Sequence, residues 1–284
     1  MTTIGIVSPG AMGSALGRAW QAGGATVVAT VAGRSERTRR LADGLTLLDG
    51  LDAVVGRSDV VVTVCPPDAA GDALSAVLAS AASVGVRPLV AELNAVAPAT
   101  VEEYAARAGA AGIELVDGSI SGGPPVPGGD TLLYLSGPRA AALAGLPADG
   151  IRATVVGDRV GVASGVKMCT ASVYKGTTAL WAQALQTAHE LGVLEVVLAD
   201  LREAFPDTAD RAARLVATAT SKSARFVAEM EAIATTQRSA GASGELFEGM
   251  AAVYRRLSTT PLAALTPEEA RAVDDLDEVL RRLR

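Results

Sequence analysis

The sequence predicts an α/β N-terminal domain followed by an all-α C-terminal domain, on three observations. Short β-branched runs alternate with alanine-rich helical stretches through the first half. No convincing strand follows Gly161. The 284 residues are 49% hydrophobic, ample for a buried core and for one or two domains.

The expected strands are Thr3–Val7, Thr26–Thr30, a weak one at Leu45–Leu48, Val60–Val64, Leu89–Ala91, Ile113–Asp117, Leu132–Leu135 and Ala153–Val156. The segments between the early ones are long enough for crossover helices, so a parallel sheet covered on both faces is expected. Gly118–Asp130 is rich in Gly and Pro and should interrupt the regular sheet. The domains are placed at 1–158 and 159–284. Val162 to about Asp200 reads as one long helix, apolar on most sides, as in Leu191-Gly-Val-Leu-Glu-Val-Val-Leu198. Such a helix is buried, and a second subunit is expected to help cover it, giving a homodimer. Another helix runs from Pro206 to about Thr236, Ser239–Gly244 is a loop, and Thr266-Pro-Glu-Glu269 opens the last helix.

A net charge of −6 argues against a nucleic-acid surface. One histidine and two cysteines, Cys65 and Cys169, give no metal-ligand spacing, and both thiols are expected to be buried and reduced. No apolar run of 18 residues is present, so neither membrane spanning nor export is expected, and the location is expected to be cytoplasmic.

Ligands of parallel sheets bind beyond the strands' carboxyl ends. The first strand–helix turn there is Ser8-Pro9-Gly10-Ala11-Met12-Gly13. Gly10 allows close approach of a pyrophosphate and Gly13 close helix–strand packing, while the helix N-terminus offers amide donors. Ser8 stands where the first glycine of a dinucleotide-binding turn is expected. An acid about 20 residues on would hold the ribose of the unphosphorylated cofactor. The chain instead has Arg34, Ser35 and Arg37 there. These suit a 2′-phosphate and point to a Rossmann domain binding NADP (NADPH). The plainer alternative is a basic, solvated helix start.

Four stretches then resemble the β-hydroxyacid dehydrogenase superfamily, which includes 6-phosphogluconate dehydrogenase and the imine reductases. They are Gly10-Ala-Met-Gly13, Glu92-Leu-Asn-Ala-Val-Ala-Pro98, Asp117-Gly-Ser-Ile-Ser-Gly-Gly123 and Gly161-Val-Ala-Ser-Gly-Val-Lys167. The second half resembles a branch with a C-terminal domain of unknown function, through Lys167–Gly176 and Arg225–Ala234. The resemblance implies a 6-phosphogluconate dehydrogenase-like fold, with the active site between the domains. It also implies NADP-dependent hydride transfer to or from a small, anionic hydroxy acid or oxo acid.

Lys167 is the implied general acid–base, its pKa expected to be lowered toward neutrality behind Gly161 and Gly165. Ser121, Gly122 and Gly123 would bind substrate, with Ala171 and Tyr174 on the same helix. Cys65, Pro66 and Pro67 after the fourth strand, and Asn94 after the fifth, complete the expected cofactor contacts. Ala171 departs from the asparagine that better-known members carry. Tyr174 and Lys175 are fallback donors. His189, 22 positions past Lys167, lies roughly 33 Å along the helix and outside its site. Arg211, Leu215, Thr218, Lys222, Arg225 and Glu229 recur at helical spacing, either as a solvated face or as an anion-facing stripe. Imine reduction, or NADP binding without turnover, remain the alternatives.

Overall fold

The computed structural model describes residues 1–284, Pro267 by its backbone only. Two compact units form, Met1–Met168 and Cys169–Arg284.

The first unit runs β1 (Thr3–Ile6), α1 (Ala11–Ala22), β2 (Thr26–Ala29), α2 (Glu36–Leu41), β3 (Thr46–Leu47), α3 (Leu51–Arg57), β4 (Val60–Thr63) and α4 (Ala70–Val84). It continues with β5 (Leu89–Glu92), α5 (Pro98–Ala110), β6 (Leu115–Ser121), β7 (Thr131–Ser136), α6 (Ala140–Ala144) and β8 (Ile151–Gly157). One sheet results, in the order β3-β2-β1-β4-β5-β6-β7-β8. β1 through β6 are parallel, β7 is antiparallel to β6, and β8 is parallel to β7. The strand order reverses at β1 and β4, which opens a crevice at their carboxyl ends.

Alternation along the buried strands feeds two cores. Ile4, Ile6, Val60 and Val62 join Leu16 and Trp20 of α1 on one face. Val61 and Val90 join Leu74 and Val77 of α4 and Val101 of α5 on the other. Each such side chain contributes about 1.5–3 kcal/mol by leaving water. Burial on both faces explains why these strands read as continuous valine and isoleucine runs.

All eight expected strands form, with one correction. The sheet does not stop at Gly118. β6 runs on to Ser121 because β7 pairs with it in antiparallel register, Ile120 opposite Leu133 and Ser121 opposite Leu132. The irregular loop is only Gly122–Asp130.

α7 (Val162–Glu190) starts in the first unit and carries into the second. There follow α8 (Leu194–Ala204), α9 (Pro206–Ala209), α10 (Ala212–Thr220), α11 (Ser223–Ser239), α12 (Glu245–Leu257), α13 (Pro267–Arg271) and α14 (Leu276–Arg281). The single helix expected to Asp200 is two. Gly192 adopts φ +71°, a left-handed turn that ends α7. Within the single chain the apolar run Leu191–Leu198 is only partly covered, which leaves the remainder to the expected second subunit. Leu191 and Val196 are 71% and 74% exposed in the chain, and Leu194 is buried. The helix expected from Pro206 to Thr236 is three segments, α9, α10 and α11. Thr266 does form its capping box with Glu269, but it opens α13, and α14 is last. No strand follows Gly157 among the described residues, and no helix is long and apolar enough to cross a membrane.

Candidate functional site

The turn after β1 is built as its glycines demand. A Cβ on Gly13 would collide with the Ser8 carbonyl oxygen and press Ile6 and Val64, so only glycine lets α1 close on the strand. A Cβ on Gly10 would meet nothing within 4 Å, so this side of the turn faces open space. Gly10 caps α1 without a side chain, which leaves first-turn amides for an anion.

That space is a cleft of about 500 Å³ beyond the strand ends, lined by Ser8 and Gly10, Arg34 and Thr38, Cys65 and Pro66. Arg34 Nη2 donates to Ser8 Oγ at 3.2 Å. The serine in the glycine's place thus anchors the arginine across the cleft. Ser35 acts locally, where its hydroxyl accepts the Thr38 N–H at 3.3 Å and caps α2. Ser35, Arg37, Pro9, Ala11, Met12, Gly13, Pro67 and Asn94 do not line the cleft, and Arg37 is exposed. Thr30, Thr38 and Asp72 line it without having been expected. Neither thiol is buried as expected, because Cys65 lies in a loop, half-buried, and Cys169 is exposed. Burial pushes the Cys65 thiol up to about 11, with Glu92 nearby adding to the effect.

Asn94 sits beneath this loop. Its Oδ1 accepts the Cys65 N–H at 2.5 Å, and its own N–H donates to Glu92 Oε1 at 3.0 Å. Its buried Nδ2 has no partner among the described residues. A buried amide donor without an acceptor is costly, and a bound polar group would satisfy it. Glu92 is 1% exposed at the end of β5, and Thr63 Oγ1 donates to its Oε2 at 2.5 Å. Burial raises the Glu92 carboxyl from 4.5 to about 7, against the opposing pull of Thr63 and Asn94. Sequence reasoning gave Glu92 no role of its own. Its only signal is a carboxylate closing the apolar run Leu89-Val-Ala-Glu92.

The start of α7 is held by a buried carboxylate. Asp117 Oδ2 accepts the N–H of Gly161 at 2.9 Å and of Ser164 at 3.0 Å. The hydroxyls of Ser136 and Ser164 donate to the same side chain at 2.9 and 2.6 Å. Ser136 Oγ in turn accepts the Ala163 N–H at 3.0 Å. The orphan amides of the helix are thereby satisfied, and the charge suits the dipole. Gly161 has φ +98°, a conformation few other residues adopt, which turns its N–H onto Asp117.

From this anchored start Lys167 extends its Nζ to 2.6 Å from the Ile120 carbonyl oxygen. Ile120 immediately precedes Ser121, Gly122 and Gly123, so lysine and substrate-loop candidates meet. Thr131 Oγ1 ties the loop by donating to the Gly123 carbonyl at 3.1 Å. In the second unit Ala171 is buried and Tyr174 is 70% exposed. His189 lies at the far end of α7, its Nδ1 3.9 Å from Asp277.

Residues 3–146 match the model of the NAD binding domain of 6-phosphogluconate dehydrogenase, and residues 188–257 match a domain of unknown function, DUF1932. No curated protein sequence matches the chain. A conserved hypothetical protein from Sinorhizobium meliloti 1021 is 24% identical, covers 100% of this chain and 97% of its own, and superposes with a TM-score of 0.68. The 3-hydroxyisobutyrate dehydrogenase of Mycobacterium tuberculosis is 19% identical over 100% and 99%, with a TM-score of 0.69. An imine reductase from Myxococcus stipitatus, solved with NADP+, is 23% identical over 99% and 100%, with a TM-score of 0.56. These three likenesses are of fold, whereas the domain model spans half of the chain. By that match, the chain belongs to the family carrying the NAD binding domain of 6-phosphogluconate dehydrogenase.

Proposed function

We propose that this protein is an NADP-dependent oxidoreductase that moves a hydride between nicotinamide and a small hydroxy acid or its oxo counterpart. The observation that carries the reading is Lys167 Nζ, fixed 2.6 Å from the Ile120 carbonyl beside the Ser121–Gly123 loop. Bound nicotinamide supplies or accepts the hydride. Gly10 and the uncapped start of α1 would hold its pyrophosphate, and Arg34 with Thr38 would select the 2′-phosphate. The unpartnered Asn94 Nδ2 fits a polar group of the same ligand.

As the neutral amine, Lys167 Nζ takes the hydroxyl proton during oxidation, and as the ammonium it returns one during reduction. Ser121 offers a hydroxyl, and Gly122 and Gly123 offer amides, to the substrate's acid group. Residues 159–284 serve substrate binding and dimerisation. Leu180, Leu191 and Val196, each more than 60% exposed, are the apolar surface for the second copy, which sedimentation of the intact protein tests.

The decisive assay is turnover of a 3-hydroxy-acid panel with NADP+ and of keto-acid and cyclic-imine panels with NADPH. Lys167→Ala should lower the rate by about 10² to 10⁴ and leave NADPH affinity intact. Turnover of imines alone would move the assignment to imine reduction. Tight NADPH binding without turnover of any panel would make the protein a binding module.

A further inference from the structure

The second unit holds a pocket lined by Tyr174 and Lys175, the fallback donors of the sequence reading, and by cations to which the proposed hydride transfer gives no role. It has a volume of about 420 Å³ and is walled by α7, α10 and the start of α11. Its lining includes four cations, Lys175, Arg211, Arg214 and Lys222, and no carboxylate.

The charges are not equivalent. Lys175 pairs with Glu229, a carboxylate only 3% exposed, and its Nζ lies 4.5 Å from the centre of the Phe226 ring. Arg225 reaches the same carboxylate at 3.1 Å. Glu229 is therefore already shared by two cations. Among the described residues no carboxylate lies within 4 Å of the charged nitrogens of Arg211, Arg214 or Lys222. Burial, with Arg225 and Arg271 close by, holds the Lys222 ammonium below its usual range, while Glu268 opposes this weakly. Uncompensated positive charge in a concave, partly dry site is a focus for anions. The rest of the wall is apolar, made by Leu215, Ala219 and the Phe226 ring. The ring is braced edge-on by Tyr254 at 5.2 Å, and the Tyr254 hydroxyl is tied to the Lys175 carbonyl at 2.7 Å. An aromatic or aliphatic body would rest there while its acid groups meet the cations. A hydrated inorganic ion would gain nothing from that wall.

We infer that this pocket binds a small organic anion carrying two carboxylates on an apolar body, through Arg211, Arg214 and Lys222. The inference rests on cations that the proposed reaction does not use, and its test reads binding without turnover, so it can fail or hold independently of that reaction.

Isothermal titration of the full chain with phthalate, without cofactor, is the experiment, with phthalamide and inorganic phosphate as comparison probes. Phthalate should bind one per chain, and more weakly as salt rises from about 20 to 200 mM. Phthalamide and phosphate should each bind at least about tenfold more weakly. Arg214→Gln and Lys222→Gln should each weaken phthalate about tenfold or more, while Arg214→Lys retains most of the binding. Unchanged melting temperatures exclude unfolding as the cause. Should the glutamine variants melt early, wild-type salt dependence and the phthalamide comparison decide alone. Absent phthalate binding, binding indifferent to salt and to these substitutions, or phosphate binding as tight as phthalate overturns the inference.

Discussion

Replacing Glu92 with glutamine removes one buried titration and leaves the packing in place. In the unfolded chain this carboxyl ionises near 4.5, and in the fold near about 7. The folded state therefore keeps a proton that the unfolded state releases, and stability falls as pH rises through this window. Its contribution is complete below pH 4.5 and gone above about 7. A displacement of this size corresponds to about 3 kcal/mol. Glutamine copies the protonated acid. Its Nε2 can donate to Thr63 Oγ1, because the Thr63 hydroxyl has a second acceptor in the Ala91 carbonyl at 3.3 Å. Its Oε1 can still accept the Asn94 N–H.

Glu92→Gln should therefore match the wild type near pH 4.5 and exceed it progressively up to pH 8. The final difference in melting temperature should be roughly 6–12 °C. Fluorescence of Trp20, 1% exposed in α1, reports on the first unit once Trp181 is replaced by phenylalanine. A wild-type-to-variant difference that stays constant from pH 4.5 to 8 would refute the reasoning. It would mean that the buried carboxyl keeps its charge throughout.

Two further outcomes follow from the site. Arg34→Ala should weaken NADPH about tenfold or more relative to NADH, measured by fluorescence titration of both, because the charge proposed to face the 2′-phosphate is lost. Equal weakening would remove the phosphate-selecting role. Asp117→Ala strips the acceptor from two buried amides and two buried hydroxyls. It should cost about 2–4 kcal/mol in urea denaturation, and the Gly161 and Ser164 amides should exchange hydrogen faster than in the wild type.

The local features of this chain were legible from residue order. Period-two and continuous apolar runs place the eight strands, because a strand buried on both faces admits little else. The Gly10–Gly13 spacing, the Thr266 N-cap and the lysine six positions after Gly161 are likewise set by neighbours in sequence. Helix continuity was not. Gly192 was read as one more residue in an apolar helix, yet it adopts a left-handed turn that splits the helix in two. Leu191 and Val196 stay exposed in the single chain, since periodicity records which side is apolar and not what covers it. The extension of β6 past Gly118 depended on a partner strand arriving in antiparallel register. Pairings between distant residues were also beyond the sequence: Arg34 on Ser8, Asp117 at the head of α7, Lys167 on Ile120. The raised Glu92 carboxyl and the uncompensated cations of α10 belong to the same class. Charge and burial depend on what the folded chain brings within a few ångströms, and residue order alone does not fix that.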